Sequence, residues 1–175
     1  MIDKGFLFDD FSQSSLHPDW KSVAGSWGVR SGRLVQLNEK EGNSNLYTEV
    51  TQDDSHTFIY HFVGRMSGKS TNKRFGLHCF CSDPQKADRG NSYFVWIRDT
   101  DEGDKIEIYE VINDEFTMRS DQRVTLKKDQ TYDFKIVYNP RKGRMEVYMD
   151  NVFRVAWTDP SPLKSGKAIS LRTGG

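Results

Sequence analysis

Three short apolar runs between residues 73 and 111 decide the fold of this chain. They read Arg74-Phe-Gly-Leu-His-Cys-Phe-Cys81, Tyr93-Phe-Val-Trp-Ile-Arg98 and Ile106-Glu-Ile-Tyr-Glu-Val111. Gly, Asp and Asn are concentrated in the segments between them, at residues 83–91 and 99–104. Aromatic and β-branched residues favour strands, whereas Gly, Asp and Asn favour turns. The stretch therefore predicts an antiparallel meander of three strands.

Successive side chains of a strand point to opposite faces, so each run divides into two sets. The set expected to pack inward is Leu77, Cys79, Cys81, Tyr93, Val95, Ile97, Ile106 and Ile108. The opposite set combines rings with hydrogen-bonding groups: His78, Phe80, Phe94, Trp96, Arg98, Glu107 and Tyr109. A face that offers both flat rings and polar groups suits the binding of a sugar.

The rest of the chain continues this pattern of short alternating runs. The longest run, His56 to Met66, places one set in the core and the other on the opposite face. The core set is Phe58, Tyr60 and Phe62, and the opposite set is Ile59, His61, Val63 and Arg65. The pairs Ser31-Gly32 and Asp150-Asn151 each separate two runs, as hairpin turns do.

No segment repeats apolar residues at helical spacing over three turns. About a dozen short strands at regular spacing favour two packed sheets. We therefore predict an all-β fold, a two-sheet antiparallel β-sandwich of the jelly-roll type, with residues 1–175 forming a single domain.

Composition and charge exclude some classes of function. The 175 residues contain 25 Lys plus Arg and 25 Asp plus Glu, so the formal net charge is zero. A chain without a basic excess is not expected to bind nucleic acid through the phosphate backbone. No apolar run approaches the length of a membrane span, and the first ten residues lack the apolar segment of a signal peptide. The two cysteines, Cys79 and Cys81, are expected to be buried thiols on one face of a strand.

Several motifs resemble the concanavalin A-like lectin/glucanase superfamily. They are Phe8-Asp-Asp-Phe11, Trp20 followed by Gly25-Ser-Trp-Gly-Val-Arg-Ser-Gly-Arg-Leu-Val35, Phe75-Gly-Leu-His78, Met145-Glu-Val-Tyr-Met-Asp-Asn151 and Gly166-Lys-Ala-Ile-Ser-Leu-Arg-Thr-Gly-Gly175. Within the superfamily they are similar to bacterial laminin-G-like domains and to domains of the 3-keto-disaccharide hydrolase type. The likeness spans nearly the whole chain and consists of structural residues, so it implies a concanavalin A-like jelly roll without naming catalytic groups.

The resemblance implies two further features, a closing strand and a structural calcium ion. Such domains commonly follow an Arg-Thr-Gly-Gly ending with one more strand, which pairs beside the first strand. The sequence stops at Gly175, which leaves either a trimmed chain or an open edge at Phe6 to Asp10. Some jelly-roll modules also hold a structural calcium ion, for which Asp9 and Asp10 are the candidates here; no other cofactor is predicted.

The resemblance also implies that the meander lines a concave sheet. Carried onto this sequence, its solvent face presents the predicted ligand-binding residues: His61, Arg65, His78, Phe80, Phe94, Trp96, Arg98 and Tyr109. The rings would stack on the C–H side of a pyranose, and Arg and His would donate hydrogen bonds to the hydroxyls of a neutral or acidic glycan. The alternative is that loops or another domain cover the rings.

The leading hypothesis is a non-catalytic carbohydrate-binding module of a larger bacterial protein, located outside the cell or in the envelope. Its partners would be an oligosaccharide or polysaccharide and other domains of the same protein. A glycoside hydrolase is the second hypothesis, although Glu107 and Glu110 point to opposite faces and break the required pair. Loop residues such as Asp83, Asp88 and Asp99 keep it open. The third is a protein-interaction or assembly module that uses the same aromatic face or the edge of the first strand.

Overall fold

The computed structural model describes residues 2–3 and 6–174, and strands are the regular secondary structure of this part of the chain. The strands are β1 (Ile2–Asp3), β2 (Phe6–Leu7), β3 (Lys21–Ala24), β4 (Trp27–Val29), β5 (Leu34–Gln36), β6 (Asn45–Asp53), β7 (Phe58–Arg65), β8 (Asn72–Cys81), β9 (Ser92–Thr100), β10 (Lys105–Ile112), β11 (Glu115–Arg123), β12 (Thr131–Asn139), β13 (Arg144–Met149), β14 (Val152–Thr158) and β15 (Ser165–Gly174). Among the described residues, no helix is long and apolar enough to cross a membrane.

Two sheets form the body of the fold. The larger sheet has seven strands in the order β11-β10-β9-β8-β15-β6-β3, and the smaller has four in the order β14-β13-β12-β7. Every pairing within them is antiparallel. The short pairs β1–β2 and β4–β5 are separate. The predicted antiparallel sandwich and its central meander, β8–β9–β10, are therefore confirmed.

The hydrophobic core lies between the two sheets. The larger sheet contributes Leu77, Cys79, Tyr93, Val95, Ile97, Ile106 and Ile108, as the alternation predicted, and the smaller sheet contributes Phe134, Ile136, Tyr138 and Val147. Phe58, Tyr60 and Phe62 of β7 pack against this core, again as predicted. Burial of one such side chain stabilises the fold by about 1.5–3 kcal/mol.

Paired residues with positive φ form the tight turns. Ser31 and Gly32 have φ of 50° and 68°, and Asp150 and Asn151 have 51° and 63°. Two successive positive φ angles define the hairpin turn whose twist matches that of the flanking strands. Both predicted hairpins, β4–β5 and β13–β14, are confirmed.

A β-bulge at Phe80 reverses the alternation at the end of β8. Phe80 has a φ of +53°. His78 pairs with Ser170 and Cys81 pairs with Ala168, so β8 has one more residue than β15 between these two pairs. The extra residue turns the Phe80 ring into the core and sends Cys81 to the outer face, beside Ala168. A Cβ on Gly166 would lie 2.3 Å from the Phe80 Cα, so the bulge requires a glycine opposite it.

Both cysteines are free thiols and fully buried, as expected, but they lie on opposite faces because of this bulge. Burial raises the pKa of each thiol to about 12. Since the thiolate is the reactive form, we expect neither cysteine to react with a thiol reagent such as DTNB at pH 8 in the folded protein. Both should react promptly in 6 M guanidinium chloride. Rapid labelling of the folded protein would contradict this burial.

Candidate functional site

The outer face of the seven-stranded sheet carries an aromatic layer, built by residues that are neighbours across the strands. Phe94 pairs with His78 on β8 and with Tyr109 on β10. Trp96, two residues on, pairs with Gly76 and Glu107. Phe94, Trp96 and Val111 form a buried cluster, against which Tyr109 and Phe116 pack. The predicted segregation of rings to this face is thus confirmed for Phe94, Trp96 and Tyr109.

Gly76 allows the rings to lie close against the sheet. A Cβ at this position would meet the Trp96 ring at 2.7 Å and the Phe94 ring at 2.8 Å. It would also lie 2.2 Å from the carbonyl oxygen of Val95. Because the space above Gly76 is occupied by the two rings, they form a compact layer on the sheet.

Arg172 of β15 covers this layer. Its guanidinium carbon lies 5.7 Å from the centroid of Phe94, 5.7 Å from that of Trp96 and 5.3 Å from that of Phe116. These distances are within the range of cation–π attraction. Burial lowers the pKa of Arg172, the charge of Asp88 partly opposes this shift, and the charge of Arg74 reinforces it. The side chain remains 17% exposed, so the aromatic layer presents an arginine to solvent.

Beside Arg172, a second group of polar side chains is held in one network. Arg98 donates to Glu107 Oε1 at 2.8 Å, and the Tyr109 hydroxyl donates to Glu107 Oε2 at 2.9 Å. Burial, together with the hydrogen bond to Glu107, raises the pKa of Tyr109 to about 12. Glu107 is only 2% exposed, whereas the Arg98 side chain is 22% exposed. The carboxylate therefore positions Arg98 and Tyr109 at the surface.

The rings do not form the exposed platform that the sequence predicted. Trp96 is 7% exposed and Phe94 is 2% exposed. Arg172 lies over both, and the Trp96 ring lies 3.5 Å from the position of a Cβ on Gly174. The alternative reading, that other parts of the chain cover the rings, is correct for these two residues.

His78 is also buried. Its ring stacks on Phe94 with 4.0 Å between centroids, and its Nδ1 lies 2.9 Å from the Ser92 hydroxyl. Burial holds the pKa of His78 well below its usual value, and the charges of Arg89 and Arg172 act in the same direction. His78 is therefore a neutral part of the aromatic layer, and the prediction that it faces solvent is wrong.

The loop from Ser82 to Asn91 folds back onto the larger sheet near His78. The Asn45 side chain donates to the carbonyl of Pro84 at 2.7 Å, and the Asn43 side chain donates to that of Ala87 at 3.1 Å. Arg89 reaches down to Ser170, the cross-strand neighbour of His78. Sequence reasoning identified this segment as turn-rich but could not place it over the sheet.

On the far side of the loop, the same outer face contains a groove of about 770 Å³. Its lining includes Tyr47 and Glu49 of β6, Gln85 of the loop and Lys167 of β15. The Gln85 side chain donates to the Tyr47 hydroxyl at 3.3 Å. The loop thus divides the outer face into a groove and a surface of arginine and tyrosine above the aromatic layer.

Three predicted site residues do not belong to this surface. Phe80 lies in the core, with its ring 5.4 Å from Phe58 and 5.0 Å from Tyr138, because the bulge inverts its direction. His61 and Arg65 are exposed on β7, which belongs to the four-stranded sheet and pairs with β12. The His61 ring contacts Asp133 at 2.6 Å. Because the two sheets pack core to core, β7 presents these side chains on the opposite side of the sandwich.

Asp9 and Asp10, the candidates for calcium, organise local turns. Asp9 accepts hydrogen bonds from the Phe11 amide at 2.8 Å and from the Trp20 indole at 2.9 Å. Asp10 accepts from the Ser12 amide at 3.0 Å. Within residues 2–3 and 6–174, no three His, Cys, Asp or Glu side chains are grouped so as to hold a metal ion.

Two arginines of the surface were not predicted from the sequence. Arg74 lies directly opposite Arg98 in the sheet, and Arg172 is paired with Gly76. Arg74 could have been predicted, because the alternation of side chains along β8 puts it on the same face as His78. Arg172 could be added only once β15 was known to pair with β8.

The whole fold matches solved structures of lectin type. The carbohydrate binding module CBM66 from Bacillus subtilis superposes with a TM-score of 0.72 at 15% identity, covering 89% of each chain. The carbohydrate recognition domain of Emp47p gives 0.67 at 11% identity, covering 95% of this chain and 85% of that one. The transglycosylase Crh5 gives 0.65 at 11% identity, covering 94% and 66%. Neither a protein-family profile nor a curated protein matches the sequence. The chain has a concanavalin A-like, lectin-type jelly-roll fold.

Proposed function

We propose that this domain binds carbohydrate without cleaving it, on the outer face of the seven-stranded sheet. The main support for this proposal is a group of polar side chains held above the aromatic layer of Phe94 and Trp96. Arg98, Tyr109, Arg74 and Arg172 lie together on a buried aromatic layer, and Glu107 fixes two of them. Donors held rigidly in this way can form hydrogen bonds to sugar hydroxyls with little loss of side-chain entropy.

The similar structures support this proposal in a general way, since CBM66 is a carbohydrate binding module and the matching part of Emp47p is a carbohydrate recognition domain. We further propose that the domain is related to the laminin-G-like and 3-keto-disaccharide hydrolase types of domain. Its setting would be a larger bacterial protein that is secreted or located in the envelope. Other domains of that protein are additional partners in this proposal.

Glycosidic cleavage is the competing function, because Crh5 is a transglycosylase and two carboxylates do lie on the proposed surface. Glu107 and Asp121 are direct cross-strand neighbours on β10 and β11. However, Arg98 and Tyr109 occupy both oxygens of Glu107, and Lys105 binds Asp121 at 2.7 Å. A general acid must reach the glycosidic oxygen. A carboxylate that is 2% exposed and doubly hydrogen-bonded is poorly placed to do so.

The test is binding to a glycan array, followed by titration of the best oligosaccharide. Replacing Arg172 with methionine keeps the hydrophobic contact with the rings but removes the guanidinium. We expect the affinity to fall at least about tenfold, the equivalent of 1.4 kcal/mol. Arg65→Met, which changes an exposed arginine on the smaller sheet, is the matched control and should bind as the original protein does. No glycan retained by the unaltered protein would refute the proposal, and release of reducing ends would favour the enzyme.

A further inference from the structure

Three arginines converge on the proposed surface from adjacent strands. Arg74 on β8 and Arg98 on β9 are direct cross-strand partners. Arg172 on β15 pairs with Gly76, two residues along β8 from Arg74. Like charges placed opposite one another destabilise a sheet. Burial lowers the pKa of Arg74, and the neighbouring charge of Arg98 lowers it further, while Glu107 and Glu102 partly oppose this shift. The three cations therefore repel one another where the fold holds them.

The fold supplies few anions to balance this charge. Among the described residues, Glu107 is the one carboxylate within hydrogen-bonding distance of any of the three guanidinium groups, and it is bound to Arg98. Asp88 lies farther away, 3.8 Å from Arg172. Arg74 donates to the uncharged amide oxygen of Asn72 at 2.7 Å. The nearby Lys105 is paired with Asp121, so it does not compete for Glu107.

Several donors of the cluster have no acceptor. In the described part of the chain, Arg98 Nε and both Nε and Nη1 of Arg172 are buried without a hydrogen-bond partner. A buried donor left without a partner costs about 1–3 kcal/mol. Mutual repulsion and unsatisfied donors both cost stability, and an anion bound to the half-buried guanidinium groups of Arg74, Arg98 and Arg172 would offset the repulsion.

From this geometry we infer that the surface recognises a sugar bearing an anionic substituent, with Arg74 and Arg172 as its ligands and Arg98 completing the site. The inference rests on the carbohydrate binding proposed above and names the class of glycan. A guanidinium presents paired N–H donors that match the two oxygens of a carboxylate or the oxygens of a sulfate. The aromatic layer beneath Arg172 keeps its guanidinium in place and limits its contact with water, which strengthens the attraction.

The experiment compares matched oligosaccharides by isothermal titration calorimetry. The probes are tetrasaccharides of galacturonic, glucuronic and mannuronic acid, each as the free acid and as the neutral methyl ester, and a chondroitin sulfate tetrasaccharide. We expect at least one acid or the sulfated probe to bind at least tenfold more tightly than any ester. That preference should shrink as the salt concentration rises. Tighter binding of chondroitin sulfate than of the same tetrasaccharide without sulfate would identify sulfate as the substituent, and tightest binding of a uronic acid probe would identify carboxylate.

Variants at Arg74 test the preference for an anionic sugar separately from carbohydrate binding in general. Arg74→Gln should reduce the preference for the acid over its ester by about tenfold, because binding of the acid should weaken about tenfold more than binding of the ester. Arg74→Lys should retain part of the preference, and Arg65→Gln, on the opposite side of the sandwich, should retain all of it. Thermal unfolding confirms that each variant is folded. Equal binding of acids and esters, or an unchanged preference in Arg74→Gln, would overturn the inference but not carbohydrate binding. Binding of none of the probes and of no array glycan would overturn both.

Discussion

Replacing Arg89 with methionine should lower the free energy of unfolding by about 3–5 kcal/mol, because each buried acceptor left without a donor costs about 1–3 kcal/mol and part of that cost is offset when a charge is no longer buried. The Arg89 side chain is completely buried, and the four acceptors of its guanidinium are all uncharged. Its guanidinium donates to the Ser170 hydroxyl, the Asn43 amide oxygen and the carbonyls of Ser44 and Ala87, at 2.5–3.1 Å. Methionine has a similar volume but removes the donor from all four acceptors, of which, in the described part of the chain, the Ala87 carbonyl alone keeps another side-chain donor, Asn43.

The same hydrogen bonds fasten the loop over the outer face of the larger sheet. Loss of Arg89 should therefore also expose the groups beneath, including His78. Urea denaturation followed by circular dichroism measures the effect on stability. Arg30→Met, at an exposed position, is the control and should change stability by no more than about 0.5 kcal/mol. A similarly small change for Arg89→Met would show that the loop is not held by this residue.

Replacing Phe80 with alanine should destabilise the protein by about 3–5 kcal/mol, the usual cost of removing a buried phenylalanine ring. Phe80 belongs to the larger sheet, and its ring makes edge contacts with Phe58 and Tyr138 of the smaller sheet, so its loss leaves a cavity between the two sheets. Alanine also has a Cβ at a positive φ, so the strain at the bulge is not relieved.

This substitution tests the reversal of alternation at the bulge directly. If Phe80 faced solvent, as strict alternation predicts, its removal would change stability little and would weaken glycan binding instead. Phe8→Ala is the matched control, because that ring is 67% exposed, and a change within about 0.5 kcal/mol is expected. Retention of full stability by Phe80→Ala would contradict the structure at the bulge.

The features that follow from local rules could be predicted from the sequence. Period-two alternation identified the core set of the meander and of β7, and the Ser31-Gly32 and Asp150-Asn151 pairs identified two hairpins. Alternation also placed Phe94, Trp96, Arg98 and Tyr109 together on one face. These predictions succeeded because a strand's two faces and a two-residue turn are determined by neighbouring residues.

The failures all depend on contacts between distant residues. The bulge at Phe80 depends on Gly166, which lies 86 positions away and leaves room for the displaced backbone. His61 and Arg65 were assigned to the wrong side because pairing of β7 with β12 cannot be read from β7 alone. The burial of Trp96 depends on Arg172 and on the segment near Gly174. Local patterns do not contain this information. The sequence therefore predicted a surface of exposed aromatic rings, whereas the groups that reach solvent are mainly the guanidinium groups of the arginines and the phenol of Tyr109.

Binding of the glycan on the outer face of the larger sheet can be followed through the four indole N–H signals of the protein in ¹⁵N NMR spectra, assigned by single Trp→Phe replacements. Trp96 lies in the aromatic layer under Arg172, whereas the Trp20 and Trp27 indoles are hydrogen-bonded elsewhere, to Asp9 and to the carbonyl of Ala24. Trp157 packs near Tyr93, a residue of the core. On titration with the tightest-binding oligosaccharide, we predict that the Trp96 signal shifts progressively to saturation while the other three stay fixed. Saturable binding with an unmoved Trp96 signal would contradict the placement of the glycan on this face.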